Sequence, residues 1–401
     1  MTEGRSIGDV LRDAMIAHRA GRLVDAETGY HEVLRHRPAE PRALHFLGLL
    51  QFHRGDLEGG IERVLHSLRS EPGNARAWND LGGMLIAVGR TAGAKDAYRR
   101  ATEAAPESAE SWYNLGICLR NENDFEGAIS SLREAIVRAR EADYARAYGA
   151  LGMLLYQLGR APEAAKVYAD WSAREPSNAK ASHMAAAMSG RDAPSRASDE
   201  YVRQLFDESA ESFDANLERL DYRAPQAIAE ALTQRAGGKI PTVLDAGCGT
   251  GLCGPLIRAL CDHLVGVDLS PKMIERASVR ECYDELVASE LTAFLHVRPR
   301  AFDAVVSADT LVYFGALGQL FAAANESLRE GGWLIFTLEA LDPSAPDDYR
   351  LEVHGRYAHS ANYVRNALAA ADFRVDALIP DTLRKERDQG VPGFLVVARR
   401  N

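Results

Sequence analysis

A Leu-Gly motif that occurs four times in the first half of the chain is the feature that most constrains the fold. The segments begin with PRALHFLGLL at residue 41, and steps of 34, 34 and 36 residues separate their glycines, Gly48, Gly82, Gly116 and Gly152. Prolines follow the same rhythm, with one missing, at Pro38, Pro72, Pro106 and Pro176. A helical repeat of this length predicts a solenoid of stacked helical hairpins, with small residues where the two helices of each hairpin cross.

These repeated residues resemble the tetratricopeptide repeat, and the resemblance covers about residues 7–178 as five copies. The first copy is weaker, since Ala14 stands where the later copies have glycine. The fourth copy has Arg140 in place of its closing proline and two extra residues after it, so we expect an irregular junction there. The segment AKASHMAAAMSG at 179–190 predicts a last helix that caps the open end of the solenoid.

The resemblance implies a concave groove lined by the non-motif side chains of each first helix. In this repeat family such a groove usually binds an extended peptide or a helix, and Arg and Asn side chains there could hold a carboxylate. A solvated face without a partner is the alternative. The candidate contact residues are Arg42, His45, Arg76, Asn79, Tyr113, Arg120 and Arg146.

The second half of the chain has a different pattern. From residue 240, short β-rich segments such as TVLDAG and LVGVDLS alternate with helical ones such as GPLIRALCDHL and SPKMIERASV. This alternation predicts a mostly parallel sheet with helices on both faces, whose ligands bind beyond the carboxyl ends of the strands. We therefore predict a multi-domain chain: an all-α helical-repeat solenoid over 7–190, a linker over 191–199 and an α/β domain over 200–401.

The glycine-rich segment VLDAGCGTG (residues 243–251) ends the first predicted strand of the α/β domain. Gly249, Gly251 and Gly254 match the GxGxxG pattern of dinucleotide-binding proteins, and Asp268 lies 19 residues beyond Gly249. However, Asp245 places a carboxylate directly before the glycines. That carboxylate would repel a pyrophosphate but could receive a cationic ligand that carries an amino acid group, such as S-adenosylmethionine.

The segments VLDAGCGTG, VGVDLSPKMIERA and LREGGWLIFTLE resemble three ordered motifs of the class I methyltransferases, from about residue 200 to the end of the chain. The resemblance implies a Rossmann-like fold and S-adenosylmethionine as cofactor. It also implies glycines that let the backbone approach the ligand, a carboxylate near the methionine portion, one that accepts the ribose hydroxyls, and apolar side chains against the adenine. The implied cofactor residues are Asp245, Gly247, Cys248, Gly249, Gly251, Asp268, Leu269, Met273, Glu290 and Asp309.

A narrower resemblance links LFDESAESFDANLERLDYRAP (205–225) and GRYAHS (355–360) to a bacterial group of predicted methyltransferases that carry such repeats. The catalytic part is also similar, more distantly, to small-acid methyltransferases of the trans-aconitate type. In the group, the helix before the sheet folds over the cofactor. This implies a lid whose candidate residues are Phe206, Phe213, Leu217 and Tyr222, although amphipathic core packing would explain the same pattern.

Methyl transfer from a sulfonium requires alignment of the acceptor and a base only if the acceptor carries a proton to remove. Weak candidates near the expected acceptor are Tyr313, Arg356 and His359. His359 has the intrinsic pKa of a base, but it also precedes Ser360, a predicted helix N-cap, and a structural or ligand-orienting role is the alternative. Arg356 could clamp an acidic substrate. No general base is assigned.

Amino-acid composition and charge limit the classes of protein to which the chain can belong. The chain is 46% hydrophobic, without an apolar run long enough to span a bilayer or a visible secretory signal. Five cysteines without paired spacing argue against a disulfide frame or a zinc site and favour a cytoplasmic location. Residues 1–190 contain 24 Lys and Arg against 25 Asp and Glu, a balance of −1, and the remaining residues contain 23 against 32, a balance of −9. An acidic second half disfavours a nucleic acid substrate.

The sequence therefore predicts an S-adenosylmethionine-dependent methyltransferase whose repeats recruit a polypeptide acceptor. One alternative is a small-molecule acceptor, possibly a carboxylic acid, with repeats that serve dimerisation or docking. The others are a non-catalytic adaptor and an NAD-linked oxidoreductase. The oligomeric state stays open.

Overall fold

The computed structural model describes residues 6–140, 144–190, 193–386 and 389–401, and it separates into two compact units, Met1–Trp171 and Ser172–Asn401. The first unit is built of helical hairpins, as the repeat spacing predicts. Its helices are α1 Ile7–Arg19, α2 Leu23–His36, α3 Pro41–His53, α4 Leu57–Ser70, α5 Ala75–Ala87, α6 Thr91–Ala104, α7 Ala109–Asn121, α8 Phe125–Arg138, α9 Tyr144–Gln157 and α10 Ala161–Arg174, which runs across the unit boundary.

The repeated glycines lie where the two helices of a hairpin cross. A Cβ on Gly82 would lie 2.5 Å from the Tyr98 ring, and one on Gly152 would lie 2.5 Å from the Tyr168 ring. A larger residue would therefore push the helices apart. The irregular junction predicted after Arg140 falls largely on residues 141–143, which lie outside the described residues.

The second unit contains a sheet of nine strands in its described part, flanked by helices. The strands are β1 Ile240–Ala246, β2 Cys261–Asp268, β3 Glu285–Ala288, β4 Phe302–Ser307, β5 Leu328–Ala340, β6 Tyr349–Leu351, β7 Tyr357–His359, β8 Phe373–Glu386 and β9 Gln389–Arg400. The helices are α11 Ala179–Ser189, α12 Asp199–Ser209, α13 Phe213–Glu218, α14 Ala224–Thr233, α15 Gly254–Ile257, α16 Pro271–Ser278, α17 Leu291–His296, α18 Gly318–Ser327 and α19 Ala361–Ala370.

The strand order is β3-β2-β1-β4-β5-β7-β6, with β9 antiparallel to β5 and β8 antiparallel to β9. Strands β1 to β5 and β7 are parallel to one another, so their carboxyl ends meet at one edge. Apolar side chains from opposite faces of the strands form two cores. Leu244 and Val305 belong to one, and Val243 and Val306 belong to the other.

One predicted helix is wrong in its second part. GPLIRALCDHL forms the short α15, a 3-10 turn at Arg258–Leu260, and then the start of β2 at Cys261. The reason is strand pairing: Cys261 is in register with Ile240 and His263 with Thr242 in the parallel β1–β2 ladder. A local helical pattern here is overridden by the sheet.

The segment before α12 is packed on the α/β domain. The Ala197 amide donates to the Tyr313 carbonyl (2.8 Å), and the Tyr357 hydroxyl donates to the Pro194 carbonyl (2.6 Å). In α11, His183 Nε2 lies 2.8 Å from the Gly355 carbonyl oxygen. Both α11, the predicted cap helix, and residues 193–199 of the predicted linker therefore contact the α/β domain, while residues 191–192 lie outside the described residues.

Candidate functional site

A cavity of about 240 Å³ lies at the carboxyl edge of the parallel strands. Its walls come from the ends of β1, β2 and β4, from the segment around Glu290, from α12 and α13, and from the end of the β8 strand. The strand order explains why these parts meet. Residues that are far apart in sequence follow neighbouring strands whose carboxyl ends share one edge.

The glycine-rich turn after β1 is shaped by its own packing more than by contact with the cavity. Gly247 has φ 72°, and a Cβ on it would lie 2.1 Å from Thr310 Oγ1. A Cβ on Gly251 would lie 3.0 Å from the Tyr283 ring, and Gly251 is not part of the cavity wall. Gly249 alone of the three faces open space, since its nearest neighbour would be a Phe213 carbon at 3.9 Å. Gly247 and Gly249 both lie on the cavity wall, whereas Gly251 does not.

Asp268 closes β2 and reaches the glycine-rich turn. Its Oδ2 accepts the Gly249 amide (2.9 Å) and its Oδ1 accepts the Ser270 amide (2.8 Å). Burial raises the pKa of Asp268 to about 6. Because a carboxylate has about four acceptor positions, both oxygens of Asp268 keep capacity for further donors from the cavity.

Asp245 lies at the same edge, in β1, and is 1% exposed. Its Oδ2 accepts the Tyr283 hydroxyl at 2.6 Å, whereas its buried Oδ1 has no hydrogen bond partner within the described residues. Burial raises the pKa of Asp245 to about 7. An orphaned carboxylate oxygen beside a cavity fits a ligand with a cationic donor.

The other half of the cavity holds a cluster of charged side chains centred on Arg384. Arg384 donates from Nη1 to Asp309 (2.6 Å), from Nε to Glu386 (2.8 Å) and from Nη2 to Glu339. Arg356 donates from Nε to Glu339 (2.6 Å) and from Nη2 to Glu386 (2.7 Å). We name these five residues the arginine cluster.

Burial and pairing act against each other in the arginine cluster. Burial opposes ionisation of Glu339, but Arg356 and Arg384 hold the pKa of Glu339 below its usual value. Burial raises the pKa of Asp309, and Arg384 opposes this rise. Arg384 is only 5% exposed, and Asp309 and Glu339 keep its pKa above the usual value against the effect of burial.

The predicted lid residues all lie on the cavity wall, as do Cys248, Leu269, Glu290 and Asp309. Phe206 makes edge contacts with Phe213 at 5.8 Å and with Tyr313 at 5.4 Å between ring centroids. The lid is also tied to the glycine-rich turn, because Asp214 Oδ1 accepts a hydrogen bond from the Thr250 hydroxyl at 2.5 Å. Glu290 has a second, structural role: its Oε2 accepts the Ala293 amide (2.7 Å) as the N-cap of α17.

Besides Gly251, two predicted site residues do not line the cavity. Met273 is fully buried in α16, and His359 is fully buried in β7 with its Nε2 3.1 Å from the Gly315 carbonyl oxygen. Burial lowers the pKa of His359 to about 4, so its imidazole is neutral at physiological pH. Because His359 is buried and is not on the cavity wall, it is not placed to act as the general base for which it was a candidate. Tyr313 and Arg356 do lie on the wall, and burial raises the pKa of Tyr313 to about 12.

Several residues at the site were not assigned from sequence. Glu339, Arg384 and Glu386 complete the arginine cluster, and Tyr283 holds Asp245. One signal was available: Glu339 is an acidic residue directly after the apolar run WLIFTL, and a charge inside a buried strand needs a partner.

The predicted groove residues of the first unit are partly engaged with one another. His45 is 2% exposed and its Nε2 lies 2.8 Å from Asp80 Oδ2, and Asn79 donates to Ser111 Oγ at 2.8 Å. These bonds join first helices of neighbouring repeats. Arg42 and Arg76 are exposed, Arg120 and Tyr113 are half-buried, and the guanidinium of Arg146 lies 4.5 Å from the Tyr113 ring.

Known proteins give the same division of the chain. The family model described as a methyltransferase domain matches residues 244–336, and the model for tetratricopeptide repeats matches 11–75, 84–141 and 122–179. The chain therefore carries tetratricopeptide repeats followed by a methyltransferase domain. The strand order, the glycine-rich turn and the two carboxylates of the cavity agree with this class.

Curated relatives match parts of the methyltransferase half. One is an 18S rRNA (guanine-N(7))-methyltransferase of Bos taurus, 37% identical over 65 residues, which are 16% of this chain and 23% of that protein. Another is a malonyl-[acyl-carrier protein] O-methyltransferase of Pseudescherichia vulneris, 28% identical over 137 residues, which are 34% of this chain and 52% of that protein. The chain spans about a quarter of the length of the first of these relatives.

Two solved structures are each similar to less than half of this chain. The MamA protein is 22% identical with a TM-score of 0.38, over 43% of this chain and 94% of that one. A magnesium protoporphyrin IX methyltransferase from Synechocystis PCC 6803, with bound SAM, is 17% identical with a TM-score of 0.35, over 45% of this chain and 79% of that one.

No set of three or more His, Cys, Asp or Glu side chains among the described residues is arranged to hold a metal ion. Likewise, no helix in the described ranges has the length and apolar character that a bilayer span requires.

Proposed function

We propose that this protein is an S-adenosylmethionine-dependent methyltransferase that modifies a polypeptide acceptor recruited by its repeats. The observation that carries the proposal is a pair of carboxylates that line the cavity: Asp245, which is buried with an unpaired oxygen, and Asp268, which is half-buried and accepts the Gly249 amide. This donor set fits the cofactor, which has an ammonium group, a sulfonium and two ribose hydroxyls. It suits a dinucleotide less well, because a buried carboxylate with an unpaired oxygen repels a pyrophosphate.

When bound, the cofactor supplies a methyl group that is already activated on a sulfonium. The chain has to hold it, align the acceptor and keep water out. Asp268 would accept the ribose hydroxyls, and Asp245 would hold the ammonium end. Phe206 and Phe213 of the lid cover the cavity with apolar surface and so limit the access of water. Alignment of this kind can supply roughly 7–11 kcal/mol of the barrier reduction.

The binding half of the proposal is tested by titration of the full chain with S-adenosylhomocysteine. Asp268→Ala should weaken binding at least tenfold, because it removes the acceptor for both hydroxyls and the partner of the Gly249 amide. Asp262→Asn is the matched control, since Asp262 lies in the same strand but is 62% exposed. Equal affinities of the two variants would remove the support for a cofactor site at Asp268.

The acceptor half is tested with methyl-labelled S-adenosylmethionine and a lysate of the source cells, with products separated by size. A polypeptide acceptor predicts label in the macromolecular fraction. The double variant Arg42→Ala, Arg76→Ala should reduce that label without changing the affinity for S-adenosylhomocysteine, because both side chains are exposed on the repeats. Label only among small molecules would favour the alternative, in which the repeats serve docking or dimerisation.

A further inference from the structure

Beside the glycine-rich turn, the cavity wall combines charged and aromatic side chains, among which an acceptor would lie. The charged part is the arginine cluster, of which Asp309, Arg356, Arg384 and Glu386 line the cavity directly. The aromatic part includes Phe206, Tyr222 and Tyr313. The charged side chains of this wall would favour a ligand of one charge over the other, and their contacts indicate which charge that is.

The two guanidinium groups are already occupied by carboxylates of the chain itself. All three donor nitrogens of Arg384 bond to Asp309, Glu339 and Glu386. Arg356 uses Nε and Nη2 on Glu339 and Glu386. A bound carboxylate that took paired donors from Arg384 would compete with Asp309, Glu339 and Glu386 for the same guanidinium, which weakens the pairing of these acidic groups.

The balance of charge in the arginine cluster is also acidic, with three carboxylates for two guanidinium groups. The neighbouring His354 does not change this balance at neutral pH, because burial lowers its pKa to about 4. Carboxylates beside aromatic rings are the surroundings that recognise an ammonium group, through ion pairing and through attraction to the ring faces.

We infer that the methyl acceptor is an amine nitrogen, which reaches the site as an ammonium group recognised by the arginine cluster and the aromatic wall. A lysine side chain or a chain terminus would provide it in a polypeptide. The inference rests on the proposed function and sharpens it. It argues against a carboxylic acid acceptor, because such an acceptor would be bound best by an arginine that is not already paired with carboxylates of the chain.

The chemistry balances with no further reactant. The ammonium group first loses one proton to solvent. The nitrogen lone pair then forms the N–C bond to the methyl carbon while the C–S bond breaks, and that electron pair stays on sulfur as a neutral thioether. The positive charge moves from sulfur to nitrogen, so the methylated amine leaves as a cation.

Two probes of matched shape and opposite charge test the inference on the full chain: phenethylammonium and phenylacetate. Each is titrated by calorimetry, with and without saturating S-adenosylhomocysteine. We expect phenethylammonium to bind at least tenfold more tightly than phenylacetate. Equal affinities, tighter binding of phenylacetate, or no measurable binding of either probe would overturn the inference.

Glu386→Gln shows whether the arginine cluster causes the preference. Its side chain is 37% exposed, so it can be neutralised with less risk to folding than the buried Glu339. The ammonium preference should fall at least threefold in Glu386→Gln and stay unchanged in Glu330→Gln, an exposed control of the same charge change. An unchanged preference in Glu386→Gln would overturn the role of the cluster.

Different results would contradict the proposed methyltransferase activity and the amine acceptor. If S-adenosylhomocysteine does not bind, the proposed function fails, while the probes without it still report the charge preference. If it binds and label is transferred but phenylacetate is preferred, the enzyme stands and the amine acceptor falls.

Discussion

The ionisation of Asp245 makes the clearest quantitative prediction about cofactor binding. Burial raises the pKa of Asp245 to about 7. Its carboxylate is therefore ionised to roughly 75% at pH 7.5 but only roughly 3% at pH 5.5. If the ionised form holds the ammonium end of the ligand, the affinity for S-adenosylhomocysteine should fall by roughly 25-fold, about 1.9 kcal/mol, over this range.

The assay is calorimetric titration with S-adenosylhomocysteine between pH 5.5 and 7.5. Asp245→Asn should bind more weakly at pH 7.5 and should lose most of the pH dependence, since an amide does not titrate. Asp268 keeps a smaller dependence at the acidic end, because burial raises its pKa to about 6. The reasoning is refuted if the wild type and Asp245→Asn show the same slope of affinity against pH.

Asp245 also predicts how the free energy of unfolding of the ligand-free chain depends on pH, and this dependence has the opposite sign to that of the affinity. The folded chain keeps the Asp245 proton up to about pH 7, whereas the unfolded chain loses it near pH 4. The folded state binds more protons in this window, so the free energy of unfolding should decrease as the pH rises from about 4 to about 7. Asp245→Asn should flatten that decrease, which denaturant titrations at several pH values would measure.

Two further substitutions test how the glycines act. Gly82→Ala should destabilise the first unit by about 1–3 kcal/mol through its clash with Tyr98, while Gly83→Ala, whose Cβ would lie 3.8 Å from the Tyr98 hydroxyl, should stabilise α5 by up to about 1 kcal/mol. Urea unfolding measures both, and shifts of the same sign would contradict the crossing geometry. Gly247→Ala should lower the thermal midpoint and abolish S-adenosylhomocysteine binding, because φ is 72° and the added Cβ would lie 2.1 Å from Thr310 Oγ1. An unchanged midpoint with normal binding would contradict that account.

Much of the fold could be predicted because its signals are local. The repeat spacing predicted the helical hairpins, and the segment ending in Asp245 predicted a strand followed by a glycine-rich turn. The lid residues could be named from the resemblance to methyltransferases that carry such repeats, although Phe206, Phe213 and Leu217 share one face of a helical pattern that core packing would also explain. The structure places them on the cavity wall.

Other expectations failed where a neighbouring element decides the outcome. Gly251 was expected at the cofactor, but its free space is taken by the Tyr283 ring. His359 has the pKa of a base in isolation, and its burial in β7 removes that property. Neither Tyr283 nor the depth of β7 can be read from the residues next to these positions.

The sequence by itself determined the local geometry: where chains turn, which helices cross closely, and which strand ends carry carboxylates. Only the tertiary structure decided which charges meet. Arg384 stands 75 positions after Asp309 and reaches it because β9 pairs antiparallel with β5 and β8 pairs antiparallel with β9, so β8 ends at the carboxyl edge of the parallel strands. Propensity and periodicity act over a few residues, whereas the partner of a buried charge is chosen by strand order and packing, which no short stretch of sequence contains.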